Sequence, residues 1–170
     1  IYLIPGLWGA PLKAVSALVP PLSTQDFVIG QENSAGNQPI ANHTKRKYAD
    51  FLHIPHNIDG FFDYEEALAY AKEVNKPLFL DFTGHGCVNC REMEAKVWSD
   101  PRVLKKLKED YIVVSLYTDD KTDLPDAEQF DSKVLGTRVN TIGKKFKHLQ
   151  ADKFNTISQP YYVLLGTQEN

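Results

Sequence analysis

Apolar residues are unevenly spread along this chain. From Ile1 to Pro21 they are nearly continuous, with Lys13 the sole charge, yet Pro5, Gly6, Gly9, Pro11, Pro20 and Pro21 interrupt them. A spanning helix needs about 20 consecutive apolar residues, and an interior proline costs a helix about 3 kcal/mol. The stretch reads as a membrane-proximal segment, the end of a span or a piece lying at the bilayer surface. From Ser23 to Asn57 the chain is polar, broken by Gly30, Gly36, Pro39 and Pro55, and shows no period. It reads as a linker. Its basic run Lys45-Arg46-Lys47 has no aromatic or glycine-rich frame and is expected to be solvated. His53 and His56 flank Ile54-Pro55, share no helix face and predict no metal site. The division is 1–58 for the apolar segment and linker, and 59–170 for a folded domain.

Periodicity begins near Asp63. Asp63 with Glu66 forms a capping box, and Leu68, Ala71 and Val74 give a helical stripe that ends at Asn75-Lys76-Pro77. Leu78 to Phe82 is a short apolar run, read as a buried strand. Gly84-His85-Gly86 breaks it. Cys90, Met93 and Val97 then fall on one helical face. Ser99-Asp100-Pro101 supplies a cap and a proline at the first helical position, before a stripe of Val103, Leu104 and Leu107. Tyr111 to Tyr117 predicts a second buried strand, 119–141 a long polar insert, 143–154 a helix, and Tyr161 to Leu165 a third strand. The order is helix, strand, helix, helix, strand, insert, helix, strand. That alternation predicts an α/β layer fold with at least two parallel strands.

Composition narrows the function classes. A net charge of -3 over 170 residues offers no basic face for nucleic acid. The chain has two cysteines, three positions apart. A disulfide-stapled secreted mini-domain would spread several pairs along its length. Two neighbouring thiols in an otherwise cysteine-free chain point to reaction with each other.

Cys87-Val88-Asn89-Cys90 lies where a strand passes into a helix. Free N–H groups and the dipole at a helix start favour a thiolate. Cys87, at the cap and exposed, is the expected nucleophile. Cys90, one turn in and on the apolar face, is the expected resolving thiol, within bonding reach of Cys87. The alternative is a copper- or zinc-binding chaperone domain using Cys87, Cys90 and His85; no second ligand pair has zinc spacing, so no metal is assigned. Asp81 lies mid-strand, six residues before Cys87. Burial would raise its pKa and suit it to exchange a proton with Cys90; a hydrogen-bonded strand Asp is the plainer reading. Pro160, before the third strand, would present a backbone edge to a substrate chain if cis. Glu92 and Glu94 would oppose the dipole near the thiols, or merely lie on a solvated face, with Glu92 pairing Lys96.

These motifs together resemble a known family. Lys76 to Phe82 followed by Cys87-Val88-Asn89-Cys90 resembles the thioredoxin superfamily: a central mixed sheet flanked by helices, here with an extended N-terminal segment. Asp81 falls at that superfamily's buried-Asp position and Pro160 at its cis-proline. The runs 63–67, 87–94, 97–103 and 159–165 are similar to the C-terminal periplasmic domain of the bacterial thiol:disulfide interchange protein DsbD family. The resemblance covers about 60–165, and Ile1 to Pro21 is similar to the tail of that family's membrane domain. It implies a protein-disulfide reductase that relays electrons from a membrane domain to periplasmic thiol–disulfide proteins and to cytochrome c biogenesis. It also implies a domain in the periplasm, tethered to the inner membrane, whose redox-active disulfide Cys87–Cys90 is its only redox group, with no small-molecule cofactor. The chain departs from the pattern at Gly86, where thioredoxins carry Trp, and at Tyr161, where Thr often follows the cis-proline. His85 and Gly86 become, with Glu92 and Tyr161, supporting candidates. The family continues with another strand and a closing helix, so the resemblance implies either a chain truncated or disordered near Asn170 or a fold closed differently.

Overall fold

In a computed structural model the described residues are 46–166, within a compact unit spanning 45–170. The expectations for the apolar segment Ile1 to Pro21 and for the chain end lie outside the described residues. Among the described residues no helix is long and apolar enough to cross a membrane.

A four-stranded sheet forms the centre: β1 (Gly60–Phe61), β2 (Leu78–Thr83), β3 (Ile112–Tyr117) and β6 (Tyr161–Leu165), in the order β1-β3-β2-β6. β3 runs parallel to β1 and to β2, while β6 is antiparallel to β2, with Asp81 opposite Ser115 on one side and Tyr162 on the other. The sheet is mixed and flanked by helices, the expected thioredoxin-like architecture.

Because strand side chains alternate, the sheet has two distinct faces. Leu78, Leu80 and Phe82 join Val114, Leu116, Tyr161 and Val163 on one, packed with Ala67 and Ala71 of α1 (Tyr64–Val74) and with Ile142 and Phe146 of α4 (Ile142–Phe154). On the other, Phe79, Val113 and Tyr162 pack with Trp98 and with Val103, Leu104 and Leu107 of α3 (Pro101–Glu109). The helix starts follow their caps. The Asp63 carboxylate accepts from Glu65 N and Glu66 N, and Asp100 accepts from Arg102 N. α1 ends where Asn75 enters the left-handed region at φ 51°.

Three expectations need correction. The helix after the cysteines is α2 (Val88–Met93) continued by a π-helical turn over Glu94–Trp98. The wider turn slips the buried face by one residue. Glu94 and Trp98 go inside, Met93 is half-buried and Val97, predicted to face inward, is exposed. The insert, read only as a long polar stretch, holds a hairpin of β4 (Phe130–Ser132) and β5 (Thr137–Val139), anchored by buried Leu124 and Val139. Residues 46–58, read as linker, are packed onto the domain. Leu52 and Ile58 are buried, and Arg46, expected to be solvated, reaches Asp59 and donates to Gly60 O at 2.7 Å.

Candidate active site

β2 aims the site. Its last residue is Thr83; Gly84-His85-Gly86 then turns the chain, and Cys87 caps α2. Cys87 and Cys90 are joined in a disulfide, with Cα atoms 5.2 Å apart. Cys90 N–H donates to Cys87 Sγ at 3.2 Å. Cys87 is half-buried, whereas Cys90 is 1% exposed. The pair is therefore asymmetric: Cys87 keeps part of its surface exposed and Cys90 almost none.

Beneath the cysteine helix lies a buried polar cluster. Asp81, on the face of β2 that α2 covers, is fully inside; Ser115 Oγ donates to its Oδ2 at 3.0 Å. Burial pushes the Asp81 carboxyl up to about 7, with the Glu94 charge adding to the rise and Ser115 and Arg91 opposing it. Glu94 is also driven up to about 7 by burial, against the pull of Arg91. Arg91 Nη2 lies 2.8 Å from Glu94 Oε1 and donates to Thr83 Oγ1 at 2.9 Å, tying the helix to the end of β2. Tyr162, opposite Asp81 on β6, has its phenol raised by burial and by the Asp81 and Glu94 charges; burial raises Tyr117 likewise. Two carboxyls and one guanidinium thus share a low-dielectric site. At neutral pH such a cluster can hold or release one proton with little cost.

The other predicted residues are placed as follows. The Gln159–Pro160 bond is cis and leads directly into β6. Gln159 donates to Thr118 Oγ1, and its Oε1 lies where a Cβ on Gly84 would stand, so the proline loop abuts the loop before the cysteines. Tyr161 lies on the opposite face of the sheet from Asp81, packed on Phe82 and Phe154 with ring centroids 6.1 and 6.3 Å away. Glu92 is exposed and 3.5 Å from Lys96, on the solvated face. His85 donates from Nε2 to Asp120 Oδ2 at 2.8 Å and stacks on Tyr117 at 4.6 Å. Its ring is committed to Asp120. Among the described residues no group of three His, Cys, Asp or Glu side chains has the geometry of a metal site. Glu94, expected with Glu92 on a solvated face, is instead buried, because the π-helical turn carries it inward, and sequence reasoning missed Arg91. The spacing of Glu94 carried a signal, because Cys90, Glu94 and Trp98 form a second stripe at four-residue steps that ends on the largest apolar side chain nearby.

Residues 57–139 match the family model described as thioredoxin-like. The chain is 30% identical over 137 residues to the thiol:disulfide interchange protein DsbD of Escherichia coli strain K12, and 29% identical to that of Shigella boydii serotype 4. These alignments take in 80% of this chain but 22% of each relative, so the chain corresponds to about a fifth of their length. Among solved structures, a thioredoxin from Thermus thermophilus is similar at 23% identity and TM-score 0.41, covering 62% of both chains. A DsbH oxidoreductase is similar at 19% identity and TM-score 0.46, covering 68% of this chain and 72% of that one.

Proposed function

Because the chain carries a thioredoxin-like domain related to one part of DsbD, we propose that it is a protein-disulfide oxidoreductase working by dithiol–disulfide exchange at Cys87 and Cys90. The observation that carries this reading is the asymmetry of the pair: half-buried Cys87 caps the helix, while Cys90, one turn on, is buried. A partner dithiol supplies two electrons. Its thiolate bonds to Cys87 Sγ as the Cys87–Cys90 bond breaks, and Cys90 leaves as a thiolate that takes a proton from the Asp81–Glu94 cluster. The partner's second thiolate then displaces Cys87 and forms the partner disulfide. The reverse sequence passes the electrons to the next protein.

In this proposal the chain is the electron-accepting domain of a longer protein. It receives electrons from a membrane domain and reduces periplasmic disulfides while tethered to the inner membrane. The thiol pair is the only redox group needed. The cis Pro160 loop, beside the cysteine loop, presents the backbone edge on which a partner's disulfide segment docks.

Trapping tests this. Cys90→Ser should accumulate mixed disulfides through Cys87, and Cys87→Ser should accumulate none. The reverse result would exchange the two roles, and no adduct with either variant would sink thiol exchange. A reduction potential from about −270 to −200 mV would fit a reductant relay, and one near −120 mV would make the domain an oxidant instead.

A further inference from the structure

The loop before Cys87 is held from a distance in sequence. Asp119, just past the end of β3, accepts from two consecutive backbone N–H groups, His85 at 2.8 Å and Gly86 at 2.9 Å, one on each carboxylate oxygen. Its neighbour Asp120 is buried and takes the His85 ring. The segment is itself fixed. Thr118 N–H donates to Thr83 O at 2.9 Å, and Gly143 at the start of α4 donates to Asp120 O at 3.0 Å. A Cβ on Gly143 would stand 2.5 Å from that same carbonyl, so the approach admits only glycine. A Cβ on Gly84 would meet Asp119 Oδ2 at 2.8 Å, and one on Gly86 would lie 3.7 Å from it. The Asp119 carboxylate is therefore packed against the turn whose next residue is Cys87.

We propose that Asp119 is a positioning residue for the thiol pair, fixing the Gly84–Gly86 turn and setting a carboxylate beside Cys87 that opposes its thiolate. The proposal rests on the thiol-exchange reading above. Exchange ends when Cys87 leaves the partner's sulfur as a thiolate. An adjacent carboxylate destabilises that anion, and so destabilises the reduced pair relative to the disulfide. The reduced domain is thereby a stronger electron donor. The other ionisable groups packed round the motif are His85 and Asp120 at this loop, Asp81 on β2, Arg91 and Glu94 on the cysteine helix, Tyr117 on β3 and Tyr162 on β6. A neutral residue at 119 removes one charge from this set and alters none of the other side chains.

The experiment is the pH profile of iodoacetamide alkylation at Cys87 in the reduced full chain, with the redox equilibrium against glutathione at alkaline pH as second readout. Asp119→Asn should lower the alkylation midpoint by about one pH unit, a roughly tenfold gain in thiolate below it, and raise the reduced fraction in glutathione several-fold. Asp119→Glu, which keeps the charge, should hold the wild-type midpoint. About 1 M salt, where screening acts within ~3 Å, should erase most of the difference between wild type and Asp119→Asn. An unmoved midpoint in Asp119→Asn, or a shift that Glu fails to prevent and salt fails to erase, would overturn the charge role. Should Asp119→Asn not fold, Asp119→Ser, a small neutral acceptor, takes its place under the same criteria. A wild-type disulfide that neither opens with dithiothreitol nor equilibrates with glutathione would instead sink the exchange reading itself.

Discussion

The two faces of the central sheet are built from alternate residues of the same strands, yet they solve opposite problems. Toward α1 and α4, Leu78, Leu80, Phe82, Val114 and Leu116 meet a lining that is almost wholly apolar. Toward the cysteine helix, the intervening positions are Phe79, Asp81, Thr83, Val113, Ser115 and Tyr117, which place a carboxyl and three hydroxyls on the face shared by α2, α3 and residues 46–58. The first face can only stabilise. The second forgoes some of that stabilisation, because a buried carboxyl favours its neutral form and penalises the charged one. What it gains is a carboxyl that burial pushes up to about 7 on the strand that leads into the cysteine turn. The apolar core and the buried carboxyl thus lie one residue apart along β2, separated by the sheet itself.

The comparison predicts that stability and exchange can be broken separately. Leu80→Ala, at a site with no exposed surface, should remove about 2–5 kcal/mol of stability by lost burial and a residual cavity. Exchange per folded molecule, read by insulin reduction below the unfolding midpoint, should be unchanged. A loss of specific activity would mean that the two faces are coupled.

Asp81→Asn probes the other face and should give the next largest effect. The folded pKa of Asp81 is about 7, above its unfolded value near 3.9. The folded state then holds the proton more tightly, so this group's contribution is full below about pH 4 and is lost as pH rises through about 7. Wild-type stability should fall across that window by roughly 2–3 kcal/mol through this group. Asp81→Asn should flatten the slope and be the more stable protein at pH 8, while its exchange slows most near neutrality. Urea unfolding at pH 4, 6 and 8 with parallel exchange assays checks both. An unchanged slope would show that Asp81 is not the titrating group, and exchange rates equal to wild type from pH 6 to 9 would remove its proton-transfer role.

The apolar face was legible in the sequence because period-two alternation and helical stripes report burial directly, and Leu78 to Phe82 and Tyr161 to Leu165 form strands as their composition required. Asp81 and the cysteine pair were legible for the converse reason: a carboxylate inside an apolar run and two thiols one turn apart are conspicuous. Glu94 was not, because a heptad-like reading favours Met93 and Val97, and the π turn that moves Glu94 and Trp98 inward has no compositional marker. The anchoring of 46–58 was hidden for another reason. It depends on single long-range contacts, such as Tyr117 Oη donating to His53 O at 2.7 Å and His56 Nε2 donating to Glu94 O at 2.7 Å. A polar stretch with no period gives no sign of such pairings.

Arg91 sharpens the comparison most finely, because it acts within the polar face alone. Its guanidinium is the cation paired with Glu94, and through Thr83 it joins helix to strand. Glu94 has the direct ion pair and Asp81 only a hydroxyl, so Glu94 should be the anion and Asp81 the proton holder when one proton is shared. Removing the charge raises the folded pKa of Glu94 further above its unfolded value, since Arg91 is the one influence that lowers it. The stability lost as pH rises from about 5 to 8 should then increase, by about 1 kcal/mol in Arg91→Gln because the guanidinium is partly exposed and the carboxyl can neutralise itself. Arg91→Lys keeps the charge but not the fork, and should retain the wild-type pH dependence with a small uniform loss. If Gln and Lys behave alike at every pH, Arg91 serves only as a tether between α2 and β2, and the division of protons between Asp81 and Glu94 is set by burial alone.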